Sequence, residues 1–100
     1  MPKLNITITH HLSQDEALRR SKGLLGDVKT QFVGKVSDLR EQWNGNVNSF
    51  SFSMEGLSVY GTLIVTPSEV EFFVDLPFAA TFFRGKIEST IRDRAGRLLA

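Results

Sequence analysis

The chain has no cysteine, three prolines, one tryptophan and one tyrosine in its 100 residues. Without cysteine there is no disulfide framework and no thiolate metal site. A reducing compartment fits that composition. An excess of one charge is also missing: 12 lysines and arginines face 11 acids, for a net charge of +1. So small a balance gives no global pull toward nucleic acid or an anionic membrane. No apolar run approaches the ~20 residues that cross a bilayer. The longest, Leu76 to Phe83, is interrupted by Pro77 and Thr81. The opening Met1-Pro2-Lys3-Leu4-Asn5 lacks the charged-then-apolar order of a secretory leader. The expectation is a cytoplasmic protein with no transmembrane segment. Apolar residues make up 41% of the chain, enough for one core, and the length suits one domain over residues 1–100.

Residues 3–9 alternate, with Leu4, Ile6 and Ile8 on one face and Lys3, Asn5, Thr7 and Thr9 on the other, which predicts a half-buried strand. Ser13-Gln14-Asp15-Glu16 has the form of a capping box. Apolar residues follow at Ala17, Leu18, Leu24, Leu25, Val28, Phe32, Val36 and Leu39. From Leu25 onward their spacing of 3, 4, 4, 3 is helical. The spacing predicts a helix over residues 13–42, ~45 Å long if straight. That is more than twice the ~17–20 Å of a short strand, so a kink is expected near Gly23–Gly26. Asn44-Gly45-Asn46 is a turn signal. Three strands come next: Phe50, Phe52 and Met54 alternate with serines, and Glu55-Gly56 marks a tight hairpin. Leu57, Val59, Gly61, Leu63 and Val65 share a face, with Gly61 expected at a bulge or bend. After Thr66-Pro67-Ser68, Val70, Phe72, Val74 and Leu76 face in and Glu69, Glu71, Phe73 and Asp75 face out. A last helix over residues 79–99 carries Phe83, Ile87, Ile91, Ala95 and Leu98 on one stripe. The expected fold is α+β, β-α-β-β-β-α: a four-stranded, mainly antiparallel, curved sheet with two helices packed on one face. The pattern leaves open which strand the first one joins.

Chemistry-bearing residues are few. His10 and His11 are neighbours in an extended segment and point opposite ways, so they do not chelate one metal together. Glu69, Glu71 and Asp75 line an exposed strand face, where charge is ordinary. Ser49, Ser51 and Ser53 are the polar side of a strand, with no positioned base and no nucleophile elbow. No phosphate-loop or dinucleotide pattern runs through Gly23, Gly26 or Gly34. Catalytic residues, metal and cofactor are therefore all expected to be absent. Arg84, Lys86, Arg92, Arg94 and Arg97 form a candidate basic contact face on the last helix, although cations there also suit the helix dipole. The segment from Leu76 to Phe83 is less ordinary. One helical face cannot bury both Phe82 and Phe83, and Phe73 points off the core. Phe73, Phe78, Phe82 and Phe83 therefore form a candidate interaction surface.

Read end to end, the chain resembles the polyhydroxyalkanoic acid system proteins of bacteria. The resemblance rests on His11-Leu12 before the first helix, Glu16-Ala17 in its first turn, Trp43, Phe52, Gly61, Val65, Leu76, Ile87-Glu88 and Ile91. It implies a product encoded beside polyester-storage genes, with a suggested role at storage granules and no catalytic residues. Sequence and resemblance together favour a non-enzymatic accessory or interaction protein. Its partner would be another protein, a second copy of itself or a hydrophobic granule surface. A small carrier of an acyl-type ligand, held between sheet and helix, is the alternative. An enzyme of unknown type built on His10, His11, Glu69 and Glu71 ranks last, and nucleic-acid binding is not favoured.

Overall fold

The computed structural model describes residues 3–32 and 34–100. Residues 1 and 2, from the opening segment read above, and residue 33, inside the expected first helix, lie outside the described residues. Strand β1 (Lys3–Thr9) is followed by helices α1 (Gln14–Ser21) and α2 (Leu24–Thr30). Strands β2 (Val36–Asn44), β3 (Val47–Met54), β4 (Leu57–Val65) and β5 (Glu69–Asp75) come next. A short 3-10 helix (Phe78–Phe83) leads into helix α3 (Arg84–Leu98). The strands form one sheet of five, in the order β1-β5-β4-β3-β2, antiparallel at every joint.

Two expectations are corrected here. The sheet has five strands rather than four, and the first helix is much shorter than its spacing suggested. Ser13 caps α1 as expected, accepting the Glu16 amide at 3.1 Å. Glu16 does not complete the box; its carboxylate instead accepts from Arg19 and Arg20. Helix α1 ends at Ser21 with Lys22 as its C-cap, and Gly23 caps the start of α2 with φ −98° and ψ −3°. The break thus falls at Gly23, inside the expected window, while Gly26 is carried within α2. After α2 the chain turns through Gly34, at φ +79°, and enters β2.

The helical spacing in β2 has a local cause. Ser37 pairs with Ser53 and Arg40 with Ser51, so Asp38 and Leu39 together oppose Phe52. This is a β-bulge, and one extra residue shifts the inward phase. Val36 and Trp43 pair with Met54 and Asn48 of β3, and Leu39 also packs on the core. Apolar residues at 36, 39 and 43 therefore all reach the core from a strand, at intervals that otherwise mark a helix. Asp38 takes φ 53° at the bulge, a left-handed conformation that aspartate tolerates better than most residues.

The core lies between the inner sheet face and the helices. Leu4, Ile6, Val59, Leu63, Val70 and Phe72 are buried from the sheet, and Ala17, Leu24, Ile87, Ile91 and Ala95 from the helices. The first strand joins β5, with Leu4 opposite Val74 and Ile8 opposite Val70. At Gly61 an added Cβ would come within 2.8 Å of Phe50 Cε1 and 2.9 Å of the Phe73 carbonyl oxygen. Gly61 therefore gives the Phe50 ring its seat against the sheet. Glu55 and Gly56 turn the β3–β4 hairpin with φ of 49° and 83°, both positive, as a type I′ turn requires.

Candidate functional site

The sequence-predicted residues lie at separate places in the fold. Leu76, just past β5, is fully buried, and Pro77 redirects the chain with φ −64° and ψ 153°. Residues 78–83 then wind as a 3-10 helix rather than as the start of the α-helix, which begins only at Arg84. The tighter winding is held by the Ala80 amide on the Pro77 carbonyl at 2.8 Å. The Thr81 hydroxyl donates to the Phe78 carbonyl at 2.7 Å. Three residues per turn place Ala80 inward, fully buried, and leave Phe78 and Phe82 outside. Phe78 is 75% exposed and Phe82 88%. The Phe82 ring meets Phe83 edge to face, with centroids 5.4 Å apart, while Phe83 packs on the core. The result is an aromatic knuckle at the strand–helix junction. Phe73 stands elsewhere, 42% exposed on the outer sheet face, between Asn5 of β1 and Thr62 of β4. Tyr60, also on that outer face, is 56% exposed. It was not singled out from the sequence.

The basic residues of α3 are partly spent. Arg92 pairs with Glu88 at 3.0 Å and Arg97 with Asp93 at 3.2 Å, and Arg94 lies 3.8 Å from Asp93. Arg84 and Lys86 form no ion pair among the described residues, and both are exposed next to the knuckle in the chain.

His10 is 3% exposed and structurally engaged. Its Nδ1 accepts the Leu12 amide at 3.2 Å, so Nε2 carries the proton donated to the Thr66 carbonyl at 3.0 Å. Its own amide donates to the Ser68 carbonyl at 2.9 Å. The imidazole thus ties the end of β1 to the β4–β5 turn, while His11 is exposed. Asp75 lies 3.8 Å from Lys3 across the sheet edge, and Glu69 and Glu71 stand half-exposed on β5. No group of three His, Cys, Asp or Glu among the described residues is arranged to hold a metal. No helix of the described residues is long and apolar enough to cross a membrane.

The carrier alternative expected an apolar space between sheet and helix without saying which residues line it. An apolar crevice opens between α2, α3 and the inner faces of β2 and β3. Phe50, Met54 and Val74 form its floor, and Ile87 and Ile91 one wall. Leu25, Val28 and Phe32 form the other wall, with Lys29 at the rim. Spacing alone could not find it, because half of its mouth comes from the bulged strand.

Fold and sites together define a class: an α+β protein whose antiparallel sheet covers its helices on one face, with an exposed aromatic knuckle. A crystal structure with the same architecture is that of TTHA0849 from Thermus thermophilus. It aligns with a TM-score of 0.58 at 14% identity, over 98% of this chain and 92% of that one. At that identity the likeness is one of fold. No curated protein matches the chain. Residues 4–99 match the family described as "Putative polyhydroxyalkanoic acid system protein", and the chain belongs to that family.

Proposed function

We propose that this protein is a non-enzymatic accessory factor of cytoplasmic polyhydroxyalkanoate storage, which docks on the granule surface through Phe78 and Phe82. The observation that carries the reading is the exposure of both rings at one junction. Single exposed apolar residues are normal, but two such rings on one short 3-10 helix are not. Burying both would contribute roughly 5 kcal/mol gross, before association costs. The rigid 3-10 winding lowers the ordering cost, since Ala80 already anchors it in the core. Arg84 and Lys86 add cations that suit an anionic surface layer. Membership of the polyhydroxyalkanoic acid system family supports that setting.

Co-sedimentation with purified polyester granules tests the proposal. The unaltered protein is expected to pellet with granules. The double variant Phe78→Asp/Phe82→Asp is expected to stay in the supernatant with its circular dichroism unchanged. Equal pelleting of the two proteins overturns the reading. A concentration-dependent mass shift that the double variant abolishes, without any granule binding, would reassign the knuckle to self-association.

A further inference from the structure

We propose that the crevice between α2, α3 and the β2–β3 edge binds the hydrocarbon chain of a short- to medium-chain carboxylic acid, with the Lys29 ammonium holding the carboxylate. Every described residue lining the crevice is apolar except Lys29. No side chain in its walls could pair with the amides of a peptide, so a peptide would leave them unsatisfied. A hydrocarbon chain needs no such partner. Lys29 is exposed and forms no ion pair among the described residues. Among the described residues that line the crevice it is the only charged one, and its sign selects an anionic head group. The remaining rim residues, Val36, Leu39 and Phe52, are half-buried, so the apolar lining continues to the surface.

The free space is about 430 Å³ counted to the open mouth, but the part able to receive water-sized occupants is only about 20 Å³. An apolar space of that size holds at most about one water and stays dry. A chain enters by displacing α2, the shorter of the two helical walls. Helix α2 is seven residues long, lacks a side-chain cap bond and lies between Gly23 and the left-handed Gly34. The floor needs no change. Phe50 already lies down against Gly61, and its ring is near-parallel to Phe52, with centroids 6.4 Å apart. This site lies apart from the knuckle in sequence and in lining residues, and it does not depend on granule docking.

Met54 lines the floor and is one of two methionines in the chain, so its labelled ε-methyl carbon reports on the crevice by NMR. Octanoate, decanoate and 1-octanol are titrated below their micelle concentrations into the full chain. The expected result is a saturable Met54 shift, with affinity rising about fourfold per added methylene. Lys29→Gln is expected to weaken octanoate about threefold and leave 1-octanol unchanged. Phe82→Asp is expected to leave both unchanged. No Met54 shift at the solubility limit, or affinity independent of chain length, overturns the site. Equal effects of Lys29→Gln on acid and alcohol overturn the carboxylate assignment. Loss of binding in Phe82→Asp would move the ligand to the knuckle and overturn the crevice while sparing the docking proposal.

Discussion

The two edge strands of the sheet are held by different means. In β1, Leu4 and Ile6 are each 1% exposed, and all seven residues pair in register with β5. In β2 no residue is fully buried, the register shifts once, and Asp38 takes a left-handed conformation. Strand β1 is secured by its side chains, and its hydrogen bonds follow. Strand β2 is secured by its ladder to β3, with Val36, Leu39 and Trp43 as partial anchors. The bulge also guards β2, since a kinked edge is a poor template for adding another strand. One sheet thus combines a packed edge with an adaptable one, and the crevice opens at the adaptable end.

Perturbations of graded size separate the two edges. Gly61→Val strikes the centre that both halves share, where Phe50 and the Phe73 carbonyl leave no room for a Cβ. It should cost ~3 kcal/mol or more in urea unfolding, since backbone cannot step aside as a side chain can. Leu4→Ala should cost about 2–3 kcal/mol, against about 1 kcal/mol or less for the half-buried Leu39→Ala. Equal losses would erase the distinction between the edges. Hydrogen exchange gives the same contrast without mutation: β2 amides should exchange through local opening, and β1 amides only through global unfolding. On the β1 side, Ser13→Ala removes the α1 cap and should cost ~1 kcal/mol by thermal or urea unfolding. On the β2 side, Glu55→Asn suits the type I′ turn and should stabilise the β3–β4 hairpin by about 0.5 kcal/mol.

The smallest effect is a pH dependence. The Arg19 and Arg20 guanidiniums hold the Glu16 carboxyl below its ordinary value of 4.5. A depressed folded-state value means that folding favours the ionised form. The contribution is therefore complete above the ordinary value and is lost as pH falls through the lowered one. A pH titration of stability should show a small acid loss near and below pH 4.5 that Glu16→Gln removes.

What the sequence revealed follows the same division. Strands β1, β3, β4 and β5 alternate cleanly because each has one face in the core and straight pairing. The Ser13 cap, the break at Gly23 and the buried stripe of Ile87, Ile91 and Ala95 were equally legible, since each depends on local chemistry. Strand β2 was not legible. Its bulge is fixed by pairing with residues 51–53, a tertiary contact that turns a two-residue period into intervals of three and four. The outward Phe73 and Phe82 could be foreseen from periodicity. The 3-10 winding that exposes Phe78 could not, because it depends on how Ala80 seats in the core. A cavity between sheet and helix was foreseen as an alternative, but its lining and Lys29 were hidden for the reason that hid β2: part of the mouth comes from a strand that reads as helix.

The chain's one tryptophan, Trp43, lies on the loosely anchored strand, half-buried, with the Lys22 ammonium 5.8 Å from its ring centroid. The protein's intrinsic emission is consequently a local gauge. It should redden when β2 peels from β3, while far-ultraviolet dichroism still registers a folded sheet. A denaturation curve followed by fluorescence alone would report the stability of an edge as that of the whole molecule.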